Sequence, residues 1–370
     1  MVPTRSSHPF WMYEELRAAP AALDSLLSPD EPARRHRAAL GQRLAGARRV
    51  YLTGCGTAYH AALVGRSLLS DFTDGHIDAR AVQAFELASY ERDAPGRDDV
   101  LIVLSHSGKP TASNAALARA RSAGAFCLTI TGDTESLAAR NAQAVFDTGY
   151  GEVKSFAYTI SYSLMLAALA DLAVCAVAAS AGDEAAAVLL QTQVQAIAVQ
   201  HRESLALDGR IRALAEQLAS HERFIFAGAG SNQATAMEAA LKMRETNYSD
   251  SASMEMEEVL HGPVATLGDV VLVVIAPPGF GRARALDLLR AARILGGTTV
   301  ALGESGDTEL ESAAGDYLPL PTCPEALSPA PYHVPLHLFS YWLAVAKGHN
   351  PDLMRRDDPR YLQARQSYTL

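Results

Sequence analysis

Basic residues are in deficit in this 370-residue chain: 32 lysines and arginines stand against 41 aspartates and glutamates, a formal net charge of −9. That sign excludes a broad nucleic-acid or anionic-membrane surface, so an anionic ligand must be held by local donors. Cysteine is scarce too. Cys55, Cys127, Cys175 and Cys323 lie far apart in sequence, without the close pairing of a zinc site or a disulfide framework. Three sit in apolar surroundings, and buried free thiols in a reducing cytoplasm are the expectation. No secretory-type apolar stretch precedes the first charged residues; the start is polar at Arg5, Ser6, Ser7 and His8, and a cytoplasmic location is expected. One long apolar run exists, Phe156 to Ser180. It is long enough to span a bilayer. It carries Asp171, however, is rich in Ala and has no flanking basic or aromatic anchors, so no membrane span is expected and a helix buried between two domains is.

What is present is a large apolar fraction, 49%, enough for a sizeable core, in a chain long enough for about two domains. Residues 1–48 read as N-terminal helices, with a polar break at Ser28-Pro29-Asp30. An α/β unit is predicted over 49–183. Its strands fall at Arg49–Leu52, 78–83, Val100–Leu104, Phe126–Ile130 and, more weakly, Ala144–Asp147, with helices between most of them. Residues 184–221 form an Ala-rich helical connector. The pattern then repeats over 222–349, with strands at Arg223–Phe226, Val270–Ile275, Thr298–Leu302 and Tyr317–Leu320 and a closing helix at His333–Lys347. Each unit opens with a strand, a Gly-containing turn and a helix, the mark of a duplicated nucleotide-fold-like unit. Residues 350–370 form a polar tail without a core pattern.

Ligands of open α/β sheets bind beyond the carboxyl ends of the strands. In the first unit those ends are Thr53-Gly54-Cys55-Gly56-Thr57, Ser105-His106-Ser107-Gly108-Lys109 and Thr131-Gly132-Asp133-Thr134. The second of these combines two hydroxyls, a lysine and a helix beginning near Thr111, the composition of an anion cradle and equally of an ordinary capped loop. Neither Gly turn has the full G-x-G-x-x-G spacing, and no dinucleotide or other cofactor is expected. In the second unit Lys242 and Glu245 lie one helical turn apart, so ammonium and carboxylate can converge. His261 follows sixteen residues later, ahead of Gly262 and Pro263, which end a helix. A carboxylate, an ammonium and an imidazole suffice for acid–base work on a sugar carbonyl; the same residues also suit a solvated ion pair and a helix cap. His333 and His337 have the i,i+4 spacing of metal ligands without an acidic residue close by in sequence, so a packed helix is expected and a metal is not.

The segments GCGTAYHA (54–61), LSHSGKP (104–110), EVKSFAYT (152–159), GAGSNQATAMEAALKMRE (228–245) and EEVLHGP (257–263) together resemble the double-SIS sugar isomerases. The resemblance covers about 49–370. It implies two tandem SIS units, each a parallel sheet flanked by helices in a flavodoxin-like three-layer sandwich. It also implies a homodimer with a shared active site, and a tail over 350–370 that closes over that site. Glu245 corresponds to the base that moves a proton between C1 and C2 through a cis-enediol. His261 corresponds to the ring-opening histidine, which in the family can come from the partner subunit, and Lys242 to a lysine beside the base. Thr57, Ser105 and Ser107 match hydroxyls of a 6-phosphate cradle, and Ser155 falls in the loop that contacts the sugar.

Departures from the pattern narrow the expectation. Arg365 or its immediate neighbour stands where the aminotransferases of the family have an imine-forming lysine. Arginine stays protonated, and no Cys nucleophile precedes the first unit, so amino transfer from glutamine is not expected. In the anion loop His106 replaces a Gln, Lys109 a Glu, Pro110 a Thr, and Ala58 a Ser. Thr111 and Lys109 can restore the lost contacts to a phosphate; alternatively the altered loop fits a C6 sulfonate, as in sulfoquinovose or sulfofructose, a monoanion needing fewer donors. The expected activity is aldose–ketose isomerisation of a hexose with an anionic C6 group. An aminosugar-6-phosphate deaminase and a non-catalytic sugar sensor are the alternatives.

Overall fold

The computed structural model describes residues 4–180 and 184–369. Among the described residues ten strands form two five-stranded sheets, parallel throughout. The first holds β1 (Arg49–Thr53), β2 (Ala79–Ala81), β3 (Asp99–Leu104), β4 (Phe126–Thr131) and β5 (Ala144–Asp147), in the order β2-β1-β3-β4-β5. The second holds β6 (Arg223–Gly228), β7 (Asp250–Glu255), β8 (Val271–Ala276), β9 (Thr298–Glu304) and β10 (Asp316–Leu320), in the order β10-β9-β8-β6-β7. Read from the other edge, that is the same arrangement, so the duplication is one of topology as well as of pattern. Strands such as DVLIVL and VLVVIA are buried along their whole length, as a parallel sheet covered on both faces requires.

β7 departs from the expectation from sequence, which placed no strand between the helix bearing Lys242 and His261. DSASME contains no β-branched or aromatic residue and reads poorly as a strand by itself. Register with β6, from Arg223↔Asp250 to Gly228↔Glu255, imposes the extended form. The polar tail also departs from its reading. Pro351 and Asp352 are buried, and the Asp352 carboxylate accepts the Trp11 and Met12 N–H groups, each at 2.8 Å, at the start of the Trp11–Leu27 helix.

Two compact units divide the chain, and both are discontinuous in sequence. One comprises the N-terminal segment to Arg17, Lys154–Thr159 and Val199–Met354. The other comprises Ala18–Val153, Ile160–Ala198 and the segment from Arg355 onward. The first unit contains the β6–β10 sheet. Its larger apolar core joins Met12 and Leu16, Ala157, and Ala239, Ala240 and Met243 of the Asn232–Thr246 helix. The second contains the β1–β5 sheet. It also holds most of the Thr159–Ser180 helix, which is long and apolar enough to cross a membrane but is mostly buried within the fold. Asp171 in that helix is paired with Arg37 at 3.0 Å, both buried. Burial raises the Asp171 carboxyl above its usual range and Arg37 opposes that shift.

Candidate active site

In the unit built on β6–β10, the turn Ala229-Gly230-Ser231 leads from β6 into the Asn232–Thr246 helix. Helical spacing puts Glu238, Lys242 and Glu245 on one side of it. Lys242 is fully buried. Its Nζ lies 2.6 Å from Glu245 Oε2 and 3.3 Å from Glu238 Oε1. Burial works against the ammonium, but the two carboxylates outweigh it and hold its pKa above the usual lysine range. Glu238 is completely shielded, whereas the Glu245 side chain keeps 14% of its surface exposed. One carboxylate is thus sealed in, and the other keeps a small accessible part. The convergence expected from the sequence is present; Glu238, four residues before Lys242, was not singled out.

Behind Glu238 lies a row of imidazoles. His337 Nε2 is 3.5 Å from Glu238 Oε1. Its ring centroid is 4.9 Å from that of His333, which is 5.6 Å from that of His201. His333 Nδ1 is 2.9 Å from the Pro329 carbonyl. Burial holds all three below the usual histidine range, His201 to about 3, so they are neutral at physiological pH. The two histidines at i,i+4 are core residues, as expected. Among the described residues no group of three or more His, Cys, Asp or Glu side chains is arranged to hold a metal.

His261 occupies the helix end predicted for it. It follows the short helix Met256–Leu260 and precedes Gly262, whose φ of 144° turns the chain into the 3₁₀ segment Pro263–Asp269. Its side chain is 70% exposed, and its Nε2 lies 2.9 Å from Glu257 Oε1. Glu257 in turn accepts from Arg284 Nη2 at 2.6 Å, and also from Arg284 Nε, on the Arg282–Ile294 helix. Arg284 first, and His261 after it, hold the Glu257 carboxyl down to about 2. The same unit contains Ser155, buried, with its Oγ accepting the Ala157 N–H at 3.2 Å.

In the unit built on β1–β5, the candidate anion residues gather at the carboxyl ends of β1 and β3, which are neighbours at the point where the strand order reverses. Thr57 is the first residue of the Thr57–Phe72 helix and Thr111 the first of the Thr111–Ser122 helix. Ser105 is buried, and its Oγ accepts the Gly108 N–H at 3.1 Å. Gly108 has φ +60°, and a Cβ there would strike Ser136, so the turn demands glycine. Ser107 is partly buried; Lys109 and Thr111 are exposed. His106 is turned inward. Its Nε2 lies 3.2 Å from the Gly151 carbonyl and its ring occupies the space beside Gly132. Burial lowers its pKa, so it adds shape to the turn and little charge. Arg365 lies in the last turn of the Pro359–Gln366 helix, partly buried.

The family model for the SIS domain matches this chain twice, over residues 43–175 and 217–347. The glutamine–fructose-6-phosphate aminotransferase of Pyrococcus horikoshii is 34% identical over 308 residues, which are 83% of this chain and 50% of that protein. The enzyme of the same name from Thermococcus kodakarensis is 30% identical over 95% of this chain and 58% of its own length. The chain thus spans about half the length of the curated relatives it matches. Among solved structures, the C-terminal domain of the Francisella tularensis glucosamine-fructose-6-phosphate aminotransferase superposes with a TM-score of 0.83 at 21% identity, covering 95% of this chain and 99% of that one. The tagatose-6-phosphate ketose/aldose isomerase of Escherichia coli gives 0.78 at 20% identity, covering 95% and 97%. At such identities the likeness is one of fold.

Proposed function

The chain belongs to the SIS domain family, and from that premise we propose that it is a cofactor-independent aldose–ketose isomerase acting on a hexose with an anionic C6 group. The observation that supports this most is Glu245, a carboxylate shielded except for a small accessible part and held at 2.6 Å by a buried ammonium. One such group can take a proton from C1 or C2 and return it to the neighbouring carbon through a cis-enediol. Lys242 stays protonated and can steady the charge that develops on the enediolate oxygens. His261, exposed and oriented by Glu257, assists ring opening. In this reading it serves a sugar bound to a partner subunit of a homodimer.

Thr57, Ser107, Lys109 and the amino end of the Thr111–Ser122 helix hold the C6 anion, with Ser105 and His106 shaping the turn. Ser155 contacts the sugar. Arg365 supplies a fixed cation from the tail, where an imine is ruled out by arginine's chemistry. A cradle with one exposed lysine and an inward, neutral His106 suits a phosphate. It also suits a sulfonate, which carries a single charge.

Incubation of the protein in D₂O with hexose 6-phosphates, amino-hexose 6-phosphates and 6-sulfohexoses, followed by NMR, tests the reading. Deuterium entering at C1 or C2 with interconversion of ketose and aldose, and without ammonia, is the expected result. Stoichiometric ammonia release would make the protein a deaminase, and binding without exchange would make it a sensor. The relative kcat/KM for phosphate and sulfonate sugars of the same stereochemistry identifies the anion.

A further inference from the structure

We propose that Glu15 is a positioning residue that fixes the backbone of the sugar-contacting segment at Lys154 and Ser155. The role rests on the isomerase reading above, in which that segment meets the substrate. Residues 151–158 lie outside helix and strand, so their N–H groups need partners from elsewhere. Glu15, on the Trp11–Leu27 helix, provides them. Its Oε1 accepts from Lys154 N–H at 2.5 Å and from Ser155 N–H at 3.2 Å. The next N–H, of Phe156, donates to the Asp352 carbonyl at 3.2 Å, and Asp352 also caps the start of the same helix. Three consecutive amides are thereby bound to two acidic residues. The Lys154 ammonium lies 4.3 Å from the centre of the Trp11 ring, one turn before Glu15.

The segment also reaches the apolar core of its unit. Ala157 belongs to the same apolar core as Met12, Leu16, Ala239, Ala240 and Met243. Those last three residues lie on the helix that carries Lys242 and Glu245. Glu15 thus acts through the Lys154–Ser155 backbone, without itself touching substrate.

Glu15 is 3% exposed, and its second oxygen, Oε2, is buried without a hydrogen-bond partner. Burial pushes its carboxyl up to about 7. The Lys154 and Ser155 N–H groups and the Lys154 charge oppose the shift, and Asp352 adds to it. A raised carboxyl pKa means that the folded protein holds a proton the unfolded chain has lost. Glu15 thus contributes stability that is complete below the ordinary glutamate range and disappears as pH rises to about 7.

The test uses Glu15→Gln, which keeps one acceptor oxygen, and Glu15→Leu, which keeps none but replaces a buried acid by an apolar side chain of similar size. Amide exchange at Lys154 and Ser155 is expected to stay slow in the Gln variant and to accelerate about 100-fold in the Leu variant. With the sugar that exchanges deuterium fastest, KM should rise about tenfold in Glu15→Leu with kcat nearly unchanged, and Glu15→Gln should restore it. The Gln variant should also lose the decline in thermal stability between pH 5 and 7, a slope that a mere spacer would not create. Unchanged exchange at the two amides in Glu15→Leu would overturn the proposal, as would an unchanged KM despite faster exchange. If the wild type turns over no sugar, the isomerase reading fails separately. The positioning role is then decided by the thermal shift with fructose 6-phosphate: a shift kept in Gln and lost in Leu upholds it, and one kept in both, or absent from wild type, overturns it.

Discussion

The two sheets share one strand order, yet equivalent turns hold different things. After β3 comes Ser105-His106-Ser107-Gly108-Lys109, with two hydroxyls, an exposed lysine and a helix beginning at Thr111. After β8, the corresponding strand, comes Pro277-Pro278-Gly279-Phe280-Gly281, which carries no hydroxyl, and the protein's own Glu325 reaches into it. Glu325 Oε2 accepts the Phe280 N–H at 3.2 Å, and a Cβ on Gly279 would run into that carboxylate. The helices after the first strands reverse the contrast. Thr57–Phe72 buries His60 among small and apolar residues, whereas Asn232–Thr246 buries Glu238 and Lys242 and presents Glu245. The repeated topology gives each sheet a turn after its third strand and a helix leading from its first. The turn after β3 keeps its hydroxyls and an exposed lysine, whereas the turn after β8 is filled by an internal carboxylate. The buried Lys242 and its two carboxylates belong to the copy whose turn is filled.

The largest effect should come from the helix that carries the acid–base groups. Glu245→Gln keeps the shape and the contact with Lys242 but cannot accept a proton, so kcat should fall by about a thousandfold. Binding of the sugar, followed by thermal shift, should be retained. Turnover within tenfold of wild type would remove the distinction between the two helices. Next comes Lys242→Met, which leaves Glu238 buried beside His337 without its cation. Loss of about 3–5 kcal/mol in chemical denaturation is expected. Adding Glu238→Gln should restore much of it, because the uncompensated charge is then gone. A double variant no more stable than the single would show that the buried pair is not where the energy lies.

How far the sequence led can be judged residue by residue. The Lys242–Glu245 contact was legible because helical geometry alone brings positions i and i+3 together. His261 at a helix end was legible from Gly262 and Pro263. Glu238 could have been read by the same rule, four residues before Lys242, since its burial makes it the lysine's second partner. His337 and Glu15 could not. Their partners lie 99 and about 140 residues away in sequence, and only the packing of separate elements makes them neighbours. β7 failed for a related reason: its six residues are extended because β6 offers a ladder, not because DSASME prefers one. The strand order was legible only through the repeat and the flavodoxin-like resemblance, since alternation of strand and helix says nothing of which edge a strand joins.

The turns themselves provide the sharper comparison. Ser107→Ala combined with Lys109→Ala removes a hydroxyl and a charge from the turn after β3, and KM for the anionic sugar should rise about 10- to 100-fold. Rising salt should weaken wild-type binding more than binding by this variant. Glu325→Gln, in the turn after β8, should leave KM within about twofold, because the carboxylate there serves the fold and not the ligand. Equal losses from both would mean that the internal carboxylate shapes the same binding event. Both turns would then have to be counted as parts of one function.

The smallest effect is expected at Glu257, the partner of His261. Glu257 orients its imidazole, and Arg284 keeps Glu257 ionised to about pH 2. Because the histidine and its partner are both well exposed, water can replace much of what the carboxylate provides. Glu257→Gln should therefore lower kcat/KM on the cyclic sugar only about threefold, while leaving an open-chain analogue unaffected. His261→Asn should cost far more on the cyclic form. A Glu257→Gln loss as large as that of His261→Asn would mean that the exposed pair is shielded in the working enzyme. In that case a second copy of the chain must cover it, which is what a site shared between subunits requires.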